Sequence, residues 1–190
     1  MTIMTTQAAQ KSKTTLMALC GLFAAVTAIC SWISIPLGFT PIPVNLGTLA
    51  VYLTGALLGQ KYGPISLTVY TLAGAVGLPV FSGFRGGLSV LAGPTGGYII
   101  GYIVAGFLIG LIINTLTRRE RTTGVAISIY VFAMICGMAA CYALGTLWFM
   151  VSTHTPFAAA MVSCVIPFLP GDAIKIAAAT ILARRLKKFI

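Results

Sequence analysis

The sequence predicts an all-α integral membrane protein with six transmembrane helices and both termini in the cytoplasm. Three observations carry this expectation. Of 190 residues, 58% are hydrophobic and 7% are charged, whereas a soluble domain carries about 25% charged residues to keep its surface wet. The apolar runs approach the roughly 20 residues that a helix needs to cross a bilayer. The basic residues fall in alternate connections between those runs. Together these exclude an ordinary soluble enzyme, a disordered chain and a secreted disulfide scaffold. Long unbroken runs also argue against the short alternating strands of an outer-membrane barrel.

The first span is expected from Leu16 to Ile35, after a short tail (residues 1–15) that carries Lys11 and Lys13. Its apolar core is too long for a signal peptide and no A-x-A site follows, so it is read as a mature helix. The second and third spans, Leu46 to Gln60 and Gly63 to Leu78, are short. Lys61-Tyr62-Gly63-Pro64 is expected to form a tight turn between them, with Pro64 in the first turn of the following helix. The remaining spans are Gly97 to Leu116, Gly124 to Met150 and Phe157 to Ala183. All six form one domain, residues 16–190.

Charge placement orients this bundle. One set of connections holds Lys11, Lys13, Lys61, Arg118, Arg119, Arg121, Arg184, Arg185, Lys187 and Lys188, and the other set holds Arg85 alone. Lys and Arg are retained on the cytoplasmic side, which puts both termini there. The formal charge of +10 therefore answers to the membrane; no basic stripe interleaved with aromatics points to nucleic acid. Glu120 is a solvated charge in a basic turn. His154 sits in a short outer loop without a nucleophile or carboxylate beside it. The five cysteines form no C-x-x-C pair and read as small packing residues, so no metal is expected.

Inside lipid, close backbone approach holds helices together, and small residues mark contact faces. The first span offers Gly21 with Ala25 and Ala24 with Ala28; the second Gly55 with Gly59; the fourth Gly97 with Gly101 and Gly106 with Gly110. Small residues spread over much of the first helix, so one of its faces can serve a partner.

The chemistry is expected on the last span. Asp172 and Lys175 are three apart, hence on one helix face. At helical rise they lie about 18 Å and 13 Å before Arg184, within the apolar slab. Each charge there costs about 2.5–3.5 kcal/mol on insertion scales and normally faces a cavity or the bundle interior. The pair can simply neutralise itself, or it can clamp a polar ligand with one acceptor and one donor. Pro167 and Pro170 disturb the helix just outside it, which is tolerable beside a polar cavity. The outer loop, Pro79 to Gly96, is apolar enough to fold over the bundle as a cap. Its Arg85 is the natural complement of an anionic ligand end. Asn45 either caps the second helix or offers an amide to a ligand. The Gly-rich run Gly93 to Tyr98 lacks the G-K-[ST] ending of a phosphate loop. Any ATP-driven step must then come from another subunit.

Three segments carry a family resemblance: Gly77-Leu78-Pro79-Val80-Phe81, Gly93-Pro94-Thr95-Gly96-Gly97-Tyr98, and Phe168-Leu169-Pro170-Gly171-Asp172 with Lys175. In this order on six helices they resemble the BioY family, the biotin-binding S components of energy-coupling factor (ECF) vitamin transporters, over roughly Leu16 to Lys188. The family often has Gln in a first-loop motif where this chain has Gly47. The resemblance implies an ECF S-component-like fold in a bacterial cell membrane, a site open to the outside, biotin as transported ligand with no cofactor, and docking on a module of one transmembrane coupling subunit and two ATPases. It places the coupling face of the first helix at Ala24 and Ala28. On this reading Asp172 accepts from a ureido N–H, Lys175 donates to the ureido carbonyl, Tyr98 lies beside the apolar chain, and Arg85 meets the carboxylate. A stand-alone carrier is the alternative. An intramembrane enzyme is disfavoured, because no activated nucleophile accompanies the pair.

Overall fold

The computed structural model describes residues 13–38, 40–117 and 123–188. Lys11 and the other residues of the tail before Lys13, as well as Arg118, Arg119, Glu120 and Arg121, lie outside the described residues. The chain runs α1 (Lys13–Trp32), β1 (Ser34–Ile35), β2 (Val44–Asn45), α2 (Gly47–Ala75), α3 (Leu88–Ala92), α4 (Gly96–Leu116), α5 (Thr123–Thr153), α6 (Phe157–Cys164) and α7 (Leu169–Leu186). Three helices are long and apolar enough to cross a bilayer: α1, α4 and α5 from Gly124 onward. The pair α6 and α7, bent by 49°, makes a fourth if counted as one span. Large apolar side chains such as Phe107, Phe132, Leu147 and Ile174 stay exposed on the outer faces, as lipid contact requires.

Helix α1 stops three residues short of the expected Ile35. Ser34 pairs with Asn45 and Ile35 with Val44 in a small antiparallel hairpin, and Leu46 N–H bonds back to Ile33 O at 3.2 Å. The β-branched residues at the end of the run, followed by Pro36, favour strand over helix.

The second and third expected spans are one continuous run, α2, broken at Gly59 rather than at Lys61 to Pro64. Gly59 has φ 73° and ψ −173°, a conformation essentially reserved for glycine. The chain reverses there. A Cβ on Gly63 would lie 3.3 Å from Gly55 Cα, although eight residues of straight helix span about 12 Å. Gly63 thus serves close approach of the two arms, and the turn itself belongs to Gly59. Gly106 of α4 completes the contact: its carbonyl would lie 2.9 Å from a Cβ on Gly55. The small residues pack three backbones together, as they do in lipid.

The second arm ends at Ala75, three residues before the expected Leu78. Gly77, at φ 105°, follows the cap Val76. Leu78 N–H bonds to Ala73 O and Gly77 N–H to Gly74 O, both at 3.1 Å. This pair of bonds closes the helix end through a left-handed glycine. The following segment is the expected cap, with α3 inside it. Phe81 is buried over Gly74, where any side chain would collide with its ring, and meets Tyr70 edge-on at 5.5 Å. Trp32 stacks on Phe84 at 5.1 Å and donates to Pro79 O at 2.7 Å. Trp148 donates to Gly93 O at 2.9 Å. Two tryptophans from the helices therefore pin the two ends of the cap.

Helices α4 and α5 match their expected bounds closely, and α4 packs between α2 and α5. The last expected span, Phe157 to Ala183, is interrupted between Cys164 and Leu169, around Pro167. Phe168 N–H bonds to Val165 O at 3.0 Å across the break, and Pro170 stands in the first turn of α7, where it needs no N–H partner. At the end remote from the cap, Cys20 donates to Tyr62 O at 3.5 Å and Lys187 donates to Tyr130 Oη at 3.0 Å. Lys61 and Lys187 thus lie at that end, and Arg85 lies in the cap.

Candidate functional site

A cavity opens beneath the cap, walled by α2, α4, α5 and α7 and lined by Asn45, Arg85, Tyr98, Asp172 and Lys175 among others. Every ligand-contact residue expected from the sequence borders it. The two expected docking residues do not.

Asp172 and Lys175 form the floor. They are 2% and 8% exposed, and Lys175 Nζ lies 3.0 Å from Asp172 Oδ1. Asp172 falls in the first turn of α7, where the helix dipole favours a negative charge. Two further side chains close around the pair. Thr48, the second residue of α2, donates to Asp172 Oδ1 at 3.2 Å and accepts from Lys175 Nζ at 3.0 Å. Tyr142 of α5 donates to Asp172 Oδ2. The pair is thus the junction of α2, α5 and α7.

Counting donors and acceptors shows what remains. An ammonium has three protons, and Asp172 and Thr48 take two. A carboxylate oxygen has two lone pairs, and Oδ2 gives one to Tyr142. One charged donor and one charged acceptor are left over, on two side chains that line the cavity. Because the pair is neutral in sum, it suits an uncharged group with adjacent N–H and C=O, and such contacts are stronger than neutral ones.

Asn45 stands two residues before α2, whose cap position is Leu46. Its Oδ1 accepts the N–H of Gly47, the first residue of α2, at 2.8 Å, and its side chain lines the cavity. Its Nδ2 donates to Ser82 Oγ in the cap at 2.7 Å, and Tyr102 Oη donates to Oδ1 at 3.5 Å. A Cβ on Gly47 would stand 2.8 Å from Ser31 Oγ, 2.9 Å from Asn45 Oδ1 and 3.1 Å from Tyr102 Oη. These three side chains occupy the space that a side chain at position 47 would take.

Tyr98 lines the wall with its ring, which lies over Gly145 and meets Tyr142 edge-on at 6.3 Å. Its hydroxyl is engaged away from the pair, within 3.2 Å of Thr146 Oγ1 and 3.4 Å of Cys164 O. Arg85 is exposed at the mouth, where its Nε donates to Ser82 O at 3.2 Å. No carboxylate pairs with it among the described residues, since the ion pair of Lys175 and Asp172 is the one formed there.

Ala24 and Ala28 correct an expectation. They are 8% and 6% exposed and belong to the chain's own apolar core with Tyr70 and Leu67. Their face of α1 turns to α2, the helix against which α1 packs, and not to the outer surface.

The first outer loop offers Thr48 in the sequence beside Asn45, but nothing in the sequence singles out Tyr142 or Tyr52, which also line the cavity. A hydroxyl in an apolar run is ordinary, so its type alone gives little signal. Thr48 and Tyr52 are spaced four apart, on one helix face, which was the available hint.

Comparison with known proteins adds the following. The family model described as "BioY family" matches residues 4–190. The chain is 40% identical to "Biotin transporter BioY" of Thermotoga maritima over 168 residues, 88% of this chain and 93% of that protein. It is 36% identical to "Biotin transporter BioY" of Rhizobium etli over 168 residues, 87% and 89% of the two. Among solved structures it is similar to the S-component for biotin from an ECF-type ABC transporter, with a TM-score of 0.82 and 30% identity, covering 93% of this chain and 92% of that one.

Proposed function

The chain belongs to the BioY family, and from that membership we propose that it is the biotin-binding S component of an ECF-type ABC transporter for biotin uptake. The carrying observation is the buried pair of Asp172 and Lys175 lining the cavity. Biotin presents a ureido ring, an apolar chain and a carboxylate. Asp172 Oδ2 accepts one ring N–H and Lys175 donates to the ring carbonyl. The chain lies along Tyr98, and Arg85 in the cap meets the carboxylate. The family is one of transporters rather than enzymes, and the ligand leaves unchanged.

In the membrane the chain makes six crossings: α1, the two arms of α2, α4, α5, and α6 with α7. The arms of α2 are shorter than the roughly 30 Å hydrocarbon slab; the cap and the small hairpin fill the remaining depth above the cavity. Both termini face the cytoplasm, in keeping with the basic residues remote from the cap. ATP hydrolysis is supplied by a partner module of one transmembrane coupling subunit and two ATPases in a bacterial cell membrane.

The test is equilibrium titration of the purified protein with biotin, together with mass spectrometry of any small molecule that co-purifies. Saturable binding of one biotin per chain is the expected result. No binding at millimolar biotin sinks the assignment.

A further inference from the structure

We propose that the Tyr52 hydroxyl is a third polar contact for the ligand ring, beside Asp172 and Lys175; the inference rests on the reading of this cavity as a biotin site. Tyr52 is 1% exposed, and its Oη is the one buried side-chain oxygen or nitrogen among the described residues that has no hydrogen-bond partner. Buried polar groups are nearly always paired, and an unpaired one carries a desolvation cost that phenylalanine, of almost the same shape, avoids. The hydroxyl therefore needs a reason, and its position supplies one.

Tyr52 lies one helical turn after Thr48 on α2, on the face that presents Thr48 to the charged pair. It borders the same cavity as Asp172, Lys175 and Tyr142. Its ring belongs to the apolar cluster with Ile109, Met134 and Ile176 below the cavity. The ring is thus fixed by packing while its polar tip has no protein group to meet.

The chemistry closes the argument. A cyclic urea carries three polar groups, two N–H and one C=O. The pair has one acceptor and one donor to give, which serve one N–H and the carbonyl. The second N–H is left, and a phenol oxygen can accept it. Tyr52 is the buried hydroxyl at the cavity, among the described residues, with neither its proton nor its lone pairs engaged within the protein.

Tyr52→Phe tests this, with titrations of biotin and of dethiobiotin, which keeps the ureido ring and lacks the sulfur. Because the hydroxyl bonds nothing within the protein, the variant is expected to melt at or above the wild-type temperature without ligand. Affinity for both ligands is expected to fall at least fivefold. A smaller loss for both overturns the proposal and leaves the hydroxyl to water. A loss with biotin that vanishes with dethiobiotin also overturns it, because the contact is then to sulfur. If the wild-type protein itself fails to bind biotin, the functional assignment falls with it, so the two failures are distinct.

Discussion

Tyr142 on α5 donates its phenol hydrogen to Oδ2 of Asp172 on α7. This bond joins two helices and holds Oδ2, while Thr48 and Lys175 hold Oδ1. Tyr142→Phe keeps the ring that meets Tyr98 edge-on and leaves Oδ2 without its protein donor. Biotin affinity is expected to fall at least about tenfold, in line with the loss of one hydrogen bond to a charged group at about 1.5–3 kcal/mol. The far-ultraviolet circular dichroism should not change. Unaltered affinity in the titration would show that the carboxylate is held without this tyrosine.

Removing the acceptor itself costs more. Asp172→Asn is expected to weaken biotin at least tenfold, since a charge-assisted contact is exchanged for a neutral one. Lys175→Met should be worse for folding, because it leaves a buried carboxylate unpaired at about 3–5 kcal/mol. Combining the two changes removes both charges. Thermal melting of the double variant should lie closer to wild type than that of Lys175→Met, while biotin binding stays lost. A double variant that melts no higher than Lys175→Met would mean that the pair is not what stabilises the junction.

Arg85 differs because it is exposed at the mouth. Its contribution should be small and tied to the ligand's charge. Arg85→Gln is expected to weaken biotin about three- to fivefold and to leave binding of biotin methyl ester nearly unchanged. Equal losses for acid and ester would remove Arg85 from the carboxylate.

Gly59 can be tested by backbone chemistry alone. Gly59→Ala forces a side chain into a conformation that costs about 1–3 kcal/mol, with Asn114 Nδ2 3.0 Å from the added carbon. The melting temperature should drop. Gly63→Ala has no strained φ to oppose it and acts only through close packing against Gly55. If Gly59→Ala melts as high as wild type, the reversal does not depend on that backbone.

The sequence made the charged pair legible because Asp172 and Lys175 are the ionised groups inside an apolar run, and lipid makes such groups conspicuous. The bounds of α4 and α5 were legible for the same reason, since long apolar runs have few alternatives. The reversal in α2 was misplaced because Gly63-Pro64 looks like a turn. Only backbone dihedrals distinguish a glycine that turns the chain from one that lets another helix approach. The two faces of α1 show a related limit. Gly21 and Ala25 are exposed while Ala24 and Ala28 are buried, yet both pairs have the same spacing. Spacing alone does not say which face meets the bundle. Tyr142, and the bond of Thr48 to the pair, are not legible in the sequence because they come from helices that meet only in three dimensions.

The 49° bend between α6 and α7 lies before Asp172, so acid and amine ride on the same rigid segment. The two opposite charges therefore keep their spacing by the rise of one helix and need nothing from α6 to stay together, so neither is left as a lone ion in oil.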